Sequence, residues 1–257
     1  MTRQQRPTTA FVLAAGMGNR MRPLTDTIPK PLVPLAGRPL IDHVLDRLAD
    51  AGITRAVVNV HYLAGKLEAH LTRRKSPEII ISDERDVLLD TGGGVVRALP
   101  LLGDAPFVIH NSDSVWIEEH VSNLTRLLDA WDPVRMDSVM LLAPTASSLG
   151  YEGPGDFNLA ADGRLSRRAD GSTAPFVFAG VSIIHPCMFK GEPERRFSLN
   201  RVWDRGIAAG RLYGITLDGQ WMHAGTPEAL IEAEKAIAGS QATLVHVRND
   251  GAGNDRA

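Results

Sequence analysis

Three cations and one carboxylate stand at spacings suited to phosphate chemistry. Arg20 and Arg22 follow the glycine turn Gly16-Met-Gly18, Lys30 sits between Pro29 and Pro31, and Asp113 closes the string His110-Asn-Ser-Asp113. Glycines let backbone N–H groups turn toward an anion with no Cβ in the way. Two guanidinium groups and an ammonium add fixed charge for a polyphosphate. A carboxylate is the hard oxygen ligand that a divalent cation on such a phosphate prefers.

The elements around these residues place them at strand ends. Ala10-Phe-Val-Leu-Ala14 is a short apolar run that reads as a first strand, and Phe107-Val-Ile-His110 reads as another. The glycine turn and Asp113 therefore follow the carboxyl ends of strands, where open α/β sheets build their sites. Leu40, Ile41, Val44, Leu45 and Leu48 share one helical face ended by Gly52, and Leu63, Leu67 and Leu71 mark a second helix. Residues 56–60 and 78–82 are further strands, and 94–99 a short helix entered through glycines. This βαβα rhythm predicts an α/β fold, a Rossmann-like mixed but mostly parallel sheet with helices on both faces. The second half is richer in strands, at 138–142, 157–160 and 176–184, with helices over 199–209 and 227–238. No repeat and no linker interrupts the chain. One domain is expected over 1–257, with a nucleotide half near 8–135, a sugar-facing half near 136–240 and a frayed tail over 241–257.

Two familiar phosphate loops are excluded. The dinucleotide fingerprint needs Gly or Ala where Met21 stands, and no Walker string occurs. The whole string from Leu13-Ala-Ala-Gly16 through Arg22-Pro-Leu-Thr25 and Pro29-Lys-Pro-Leu32 instead resembles the sugar-1-phosphate nucleotidyltransferase (nucleotide-sugar pyrophosphorylase) family. That family's signature is G-x-G-x-R-x-x-P-L-T…P-K-P-L. The resemblance runs to Gly225-Thr-Pro227 and is closest to the bacterial N-acetylmuramate-1-phosphate uridylyltransferases.

The resemblance implies a nucleotidyltransferase (glycosyltransferase-A-like) fold and an enzyme. Its substrates would be a nucleoside triphosphate and a sugar 1-phosphate, its products an NDP-sugar and pyrophosphate. UTP and N-acetylmuramate 1-phosphate, in cell-wall recycling, are the specific expectation. Mannose-1-phosphate guanylyltransferase and glucose-1-phosphate thymidylyltransferase are the alternatives, and a non-catalytic nucleotide-sugar sensor is the competing class.

Roles follow residue by residue. Arg20 suits the β- and γ-phosphates, and Lys30, stiffened into an extended conformation by its prolines, the α-phosphate or the incoming sugar phosphate. Asp113 matches the metal carboxylate of the family's N-[GA]-D, with Ser112 as the middle residue, and Asn111 would contact substrate. Ala14, Ala15, Gly16, Gly18 and Asn19 would line the nucleotide by main chain. Gly92 and Gly93, within Leu89-Asp-Thr-Gly-Gly-Gly94, would lie flat against base and ribose, unless they only open a helix. The family carries Glu at Asp90. In the sugar half, Gly155-Asp-Phe157 implies that Asp156 binds sugar, the alternative being a turn cap, and Gly180 would leave room for the sugar ring. Arg167 and Arg168 suit either a substrate carboxylate or a solvated hairpin.

One departure stands out. The family's W-x-D-x-G-T places its second metal carboxylate where Trp221-Met-His223 has His223. The resemblance makes magnesium the expected cofactor, and because imidazole suits manganese or cobalt better, those two are the alternatives. His223 as a purely structural histidine is the other reading.

Composition agrees. The chain has 257 residues, 44% hydrophobic and 23% charged, with a net charge of −2. That balance gives no reason to expect nucleic acid or an anionic membrane as a partner. Cys187 is the single cysteine, so no internal disulfide or cysteine-based zinc site is available. Without an apolar run of ~20 residues or a signal-like start, the expected location is the cytoplasm.

Overall fold

The computed structural model describes residues 6–251, with side chains as far as 240. In chain order, β1 (Thr9–Leu13) precedes a small hairpin, β2 (Pro34–Leu35) and β3 (Arg38–Pro39), and then α1 (Leu40–Asp50). Next come β4 (Arg55–Val60), α2 (Ala64–Leu71), β5 (Glu78–Asp83), α3 (Asp90–Leu102), β6 (Phe107–Asn111), β7 (Ser114–Glu118) and α4 (Asn123–Ala130). The remainder is β8 (Ser138–Pro144), β9 (Phe157–Leu159), β10 (Leu165–Arg167), β11 (Phe176–Ile184), α5 (Asn200–Ala208), β12 (Leu212–Thr216), β13 (Gly219–His223) and α6 (Pro227–Gly251).

The central sheet runs β10-β9-β11-β6-β1-β4-β5, with β8 on the other edge of β11 and β12 beside β8. β1 is parallel to β4 and β6, β4 to β5 and β12 to β8, while β11 is antiparallel to β6 and β8. Alternation along β1 explains the layers, because successive side chains leave opposite faces. Ala10 and Val12 pack with Ile41, Val44, Leu67 and Leu124 of α1, α2 and α4. Phe11 packs on the other face with Val95, Ala98 and Val202 of α3 and α5. Helices cover both faces, as expected.

Several local expectations shift. The helix expected over 94–99 begins at Asp90, so the triple glycine forms its first turns. Lys30 is not extended: it opens a single 3₁₀ turn, Lys30–Leu32, closed by the Leu32 N–H bond to the Pro29 carbonyl at 2.8 Å. The helix α6 continues through Gly251 into the segment expected as a tail, and residues 252–257 lie outside the described residues. β7, α4, β12 and β13 were not anticipated. The two strands β7 and β13 pair antiparallel, bringing His223 opposite Ser114. A third cluster seats this pair, with Met21, Val33, Val115, Met222 and Leu230 packed together. Met21, fully buried, anchors the glycine turn.

His110 on β6 is fully buried, stacked 5.6 Å from the Trp116 ring, its Nδ1 on the Asn111 carbonyl and its Nε2 without a partner. Burial pushes its pKa down to about 4, outweighing the Asn111 bond. The unfolded chain therefore takes up a proton between pH 6.5 and 4 that the folded chain refuses, so this stability is full above 6.5 and lost on acidification. The shift corresponds to about 3 kcal/mol. Thermal unfolding of wild type and His110→Phe should show wild type losing most of that amount relative to the variant between pH 7.5 and 4.5. Parallel pH dependences would refute a neutral buried imidazole.

Candidate active site

A cavity of about 440 Å³ opens at the carboxyl ends of β1 and β6. Ala14, Ala15, Gly16, Gly18, Asn19, Arg20, Lys30, Asn111 and Asp113 all line it. The loop after β1 owes its course to Gly18, whose φ of +66° suits glycine. A Cβ there would fall 2.9 Å from the Thr25 methyl, and the Thr25 hydroxyl donates to the Gly18 carbonyl at 2.8 Å. Gly16 differs: a Cβ on it would meet no protein atom within 4 Å. It would project into open space on a cavity-lining residue, so the room at Gly16 serves no contact within the chain.

Charge converges across the cavity. Lys30 Nζ donates to Asp113 Oδ2, with the two side chains 13% and 27% exposed. Burial by itself would raise the Asp113 carboxyl, but the Lys30 charge and hydrogen bond, with His223 adding, hold it below the usual carboxylate range. Arg20 Nη1 donates to His223 Nε2 at 3.3 Å. A guanidinium only donates, so His223 accepts there as the neutral Nδ1–H tautomer. Burial lowers the His223 pKa, the charges of Arg20 and Lys30 lower it further, and Asp113 opposes them. His223 and Asp113, more than a hundred positions apart, thus share one electrostatic environment. Gly225 makes this possible, since a Cβ there would fall 2.5 Å from His223 Nε2.

Other expected site residues serve the chain itself. Gly92 and Gly93 lie under the 195–197 segment: their N–H groups both donate to the Phe197 carbonyl, at 2.8 and 3.3 Å. Added Cβ atoms would fall 2.3 Å from the Phe197 ring and 2.1 Å from the Arg195 carbonyl. On the side a Cβ would occupy, these glycines admit a neighbouring strap, and the cavity wall beside them is Leu88, Asp90 and Thr91. Gly180 makes room for Ser114, 2.6 Å from its would-be Cβ, where a sugar ring was expected. The Asp156 carboxylate accepts the Phe178 N–H at 3.0 Å, tying its loop to β11. Arg22 pairs with Asp26 and is absent from the cavity wall. Arg167 binds Asp204 and Asn200, and Arg168 the Gly155 and Ser172 carbonyls.

Asn59, Glu84 and Arg196 also line the cavity and were missed. The available signal was Asn59 itself, one amide inside the apolar run 56–60. The imidazole that interacts with Asp113 is His223. Among the described residues, one group of three potential metal ligands lies together, Glu119, His120 and Asp218, at the far end of the β7–β13 pair. No described helix is long and apolar enough to cross a membrane.

Comparison with known proteins gives the chain's relatives. Residues 9–148 match the nucleotidyl transferase family. The chain is 48% identical over 238 residues to an N-acetylmuramate alpha-1-phosphate uridylyltransferase of Caulobacter vibrioides, covering 91% of this chain and 98% of that one. It is 35% identical to the enzyme of that name from Neisseria meningitidis serogroup B, covering 90% and 98%. The fold superimposes on an apo UDP-glucose pyrophosphorylase with a TM-score of 0.73 and 16% identity, covering 91% of this chain and 99% of that one.

Proposed function

The chain belongs to the nucleotidyl transferase family, and on that premise we propose that it transfers a uridylyl group from UTP to N-acetylmuramate 1-phosphate. It is read as a single sugar-1-phosphate nucleotidyltransferase domain acting in cytoplasmic reuse of cell-wall sugars. The observation that carries the reading is the near-complete alignment with two uridylyltransferases, supported by the convergence of Gly16, Arg20, Lys30, Asn111 and Asp113 on one cavity.

In the reaction a sugar-phosphate oxygen forms a bond to the α-phosphorus, the bond from that phosphorus to the β-phosphate bridging oxygen breaks, and pyrophosphate leaves. Such chemistry is carried by positioning and charge neutralisation. Arg20 offers its remaining guanidinium donors to the leaving phosphates. Lys30 has three ammonium donors and gives one to Asp113, so two remain for the phosphate oxygens between which charge develops. The glycine turn admits the triphosphate, and Asn111 borders the same cavity. Asp113 fits a divalent ion: it is held ionised by Lys30 and is partly open to the cavity. A lone carboxylate with substrate phosphates and water suits magnesium, which neutralises phosphate charge when bound. Asn19 and the 14–16 main chain line the nucleotide, whereas the observed contacts of Gly92, Gly93, Asp156 and Gly180 are within the chain.

A panel of four nucleoside triphosphates against N-acetylmuramate, N-acetylglucosamine, mannose and glucose 1-phosphates, scored by pyrophosphate release, tests the proposal. UTP with N-acetylmuramate 1-phosphate should give the highest kcat/KM. Preference for GTP with mannose 1-phosphate or dTTP with glucose 1-phosphate would replace it, and no release from any pair would favour a sensor.

His223 gives a second test. If its imidazole joins the ion, manganese or cobalt should support turnover at least as well as magnesium, and His223→Asp should shift preference toward magnesium. Its lowered pKa places the acid limb of the wild-type profile below pH 6.5, where protonation competes with ligation, and the Asp variant should lose that limb. Unchanged metal preference with a changed nucleotide KM would instead make His223 the rest for Arg20.

A further inference from the structure

Two walls of the cavity are joined by a buried polar pair that the transfer chemistry leaves unused. Asn59, in β4, is 2% exposed, and Glu84, just after β5, is fully buried. Asn59 Oδ1 accepts the N–H groups of Ala14 and Ala15, at 2.6 and 3.2 Å. Its Nδ2 donates to Glu84 Oε1 at 2.7 Å, and Glu84 Oε2 accepts the Leu89 N–H at 3.2 Å. The third glycine of the triplet exists for this bridge: a Cβ on Gly94 would fall 2.6 Å from Glu84 Oε1 and 3.1 Å from Asn59 Nδ2. The bridge uses the Asn59 oxygen and amide and both carboxylate oxygens, so it is satisfied and directional.

We propose that Asn59 and Glu84 are positioning residues that set nucleotide affinity by holding the 14–15 and 88–89 main chain at a fixed separation. The peptide plane supplies the reason. An N–H turned toward Asn59 or Glu84 turns the carbonyl of the same peptide unit the other way, so the Ala14 and Leu88 carbonyls are aimed by this pair. The neighbouring Leu13 carbonyl is already fixed by the Ser112 N–H at 3.1 Å. The Ala14 and Ala15 N–H groups are consumed internally, so they are not donors to a nucleotide, and the Ala14 carbonyl is the group this pair leaves to face away from Asn59. The inference rests on the nucleotide-site reading above, and goes beyond it in naming what shapes that site.

The bridge has a polarity, and polarity can be reversed. In Asn59→Asp two carboxylates face each other. In Glu84→Gln the new amide N–H opposes the Leu89 N–H. The double variant combines the two changes and moves the charge from position 84 to position 59. Its carboxylate at 59 accepts from Ala14, Ala15 and the amide now at 84, whose own oxygen accepts from Leu89, so every bond is restored. Calorimetric binding of nucleoside triphosphate, steady-state kinetics and thermal unfolding are measured for all four proteins. Each single variant should raise the nucleotide Kd and KM on the order of 10-fold, with kcat and the sugar-phosphate KM within about threefold. The double variant should return to within about threefold of wild type. Single variants with unchanged nucleotide Kd would overturn the proposal. So would a uniform loss of stability and kcat with no rescue, which would make the pair an ordinary part of the core. A wild type that binds nucleotide yet releases no pyrophosphate would refute the transfer reading and leave this test intact.

Discussion

Asp113→Ala is expected to lower turnover on the order of 10³-fold or more while the protein still folds. Asp113 is the carboxylate at the cavity mouth, 27% exposed and held ionised by Lys30. On the proposed reading its removal takes away the carboxylate that would hold the ion beside the phosphates, and several kcal/mol of transition-state stabilisation go with it. The fold should survive because the side chain closes no core contact, although Lys30, 13% exposed, loses its partner. Because the folded pKa is depressed, Asp113 contributes stability above the ordinary carboxylate pKa that is lost only as pH falls through the folded value. Its charge is therefore constant across neutral pH, and a pyrophosphate-release assay at pH 7.5 reads the variant without a titration artefact. Near-normal release with an unchanged melting curve would remove Asp113 from the chemistry.

Lys30→Ala should cost on the order of 10²-fold, mostly in kcat. One of its ammonium donors goes to Asp113 and two are left for phosphate, and the 3₁₀ turn Lys30–Leu32, entered from Pro29, fixes its stem beside Asp113. Arg20→Ala is the contrast: Arg20 lines the same cavity and is proposed to meet the leaving phosphates, so its loss should fall first on the nucleotide KM. The comparison is made at saturating sugar phosphate, with circular dichroism to confirm folding. Unchanged kinetics in Lys30→Ala would leave it with only a structural pairing to Asp113, and identical kcat and KM changes in both variants would erase the division of labour.

Much of this was legible in the chain. The strand Ala10–Ala14, the turn at Gly16 and Gly18, the cationic pair Arg20 and Lys30, and Asp113 after an apolar strand carry their signals within a few residues. Local periodicity likewise set the helical face of α1, because the neighbours on a helix face are three and four residues away. Where the partner lay far along the chain, the residue type said that something approaches but not what. Gly92, Gly93 and Gly180 were read as room for ligand, and the bodies filling that room are Phe197, Arg195 and Ser114. Asp156 offered a carboxylate, and one of its two oxygens accepts the Phe178 N–H.

The tertiary structure alone decided the rest. The β7–β13 pairing sets His223 opposite Ser114 and beside Arg20, and the sheet order puts Asn59 of β4 next to the turn leaving β1. A missing Cβ and a lone buried amide record only the demand for space or for a hydrogen bond. Which atom meets that demand depends on sheet register and strand order, and those arise from contacts spread over the whole chain.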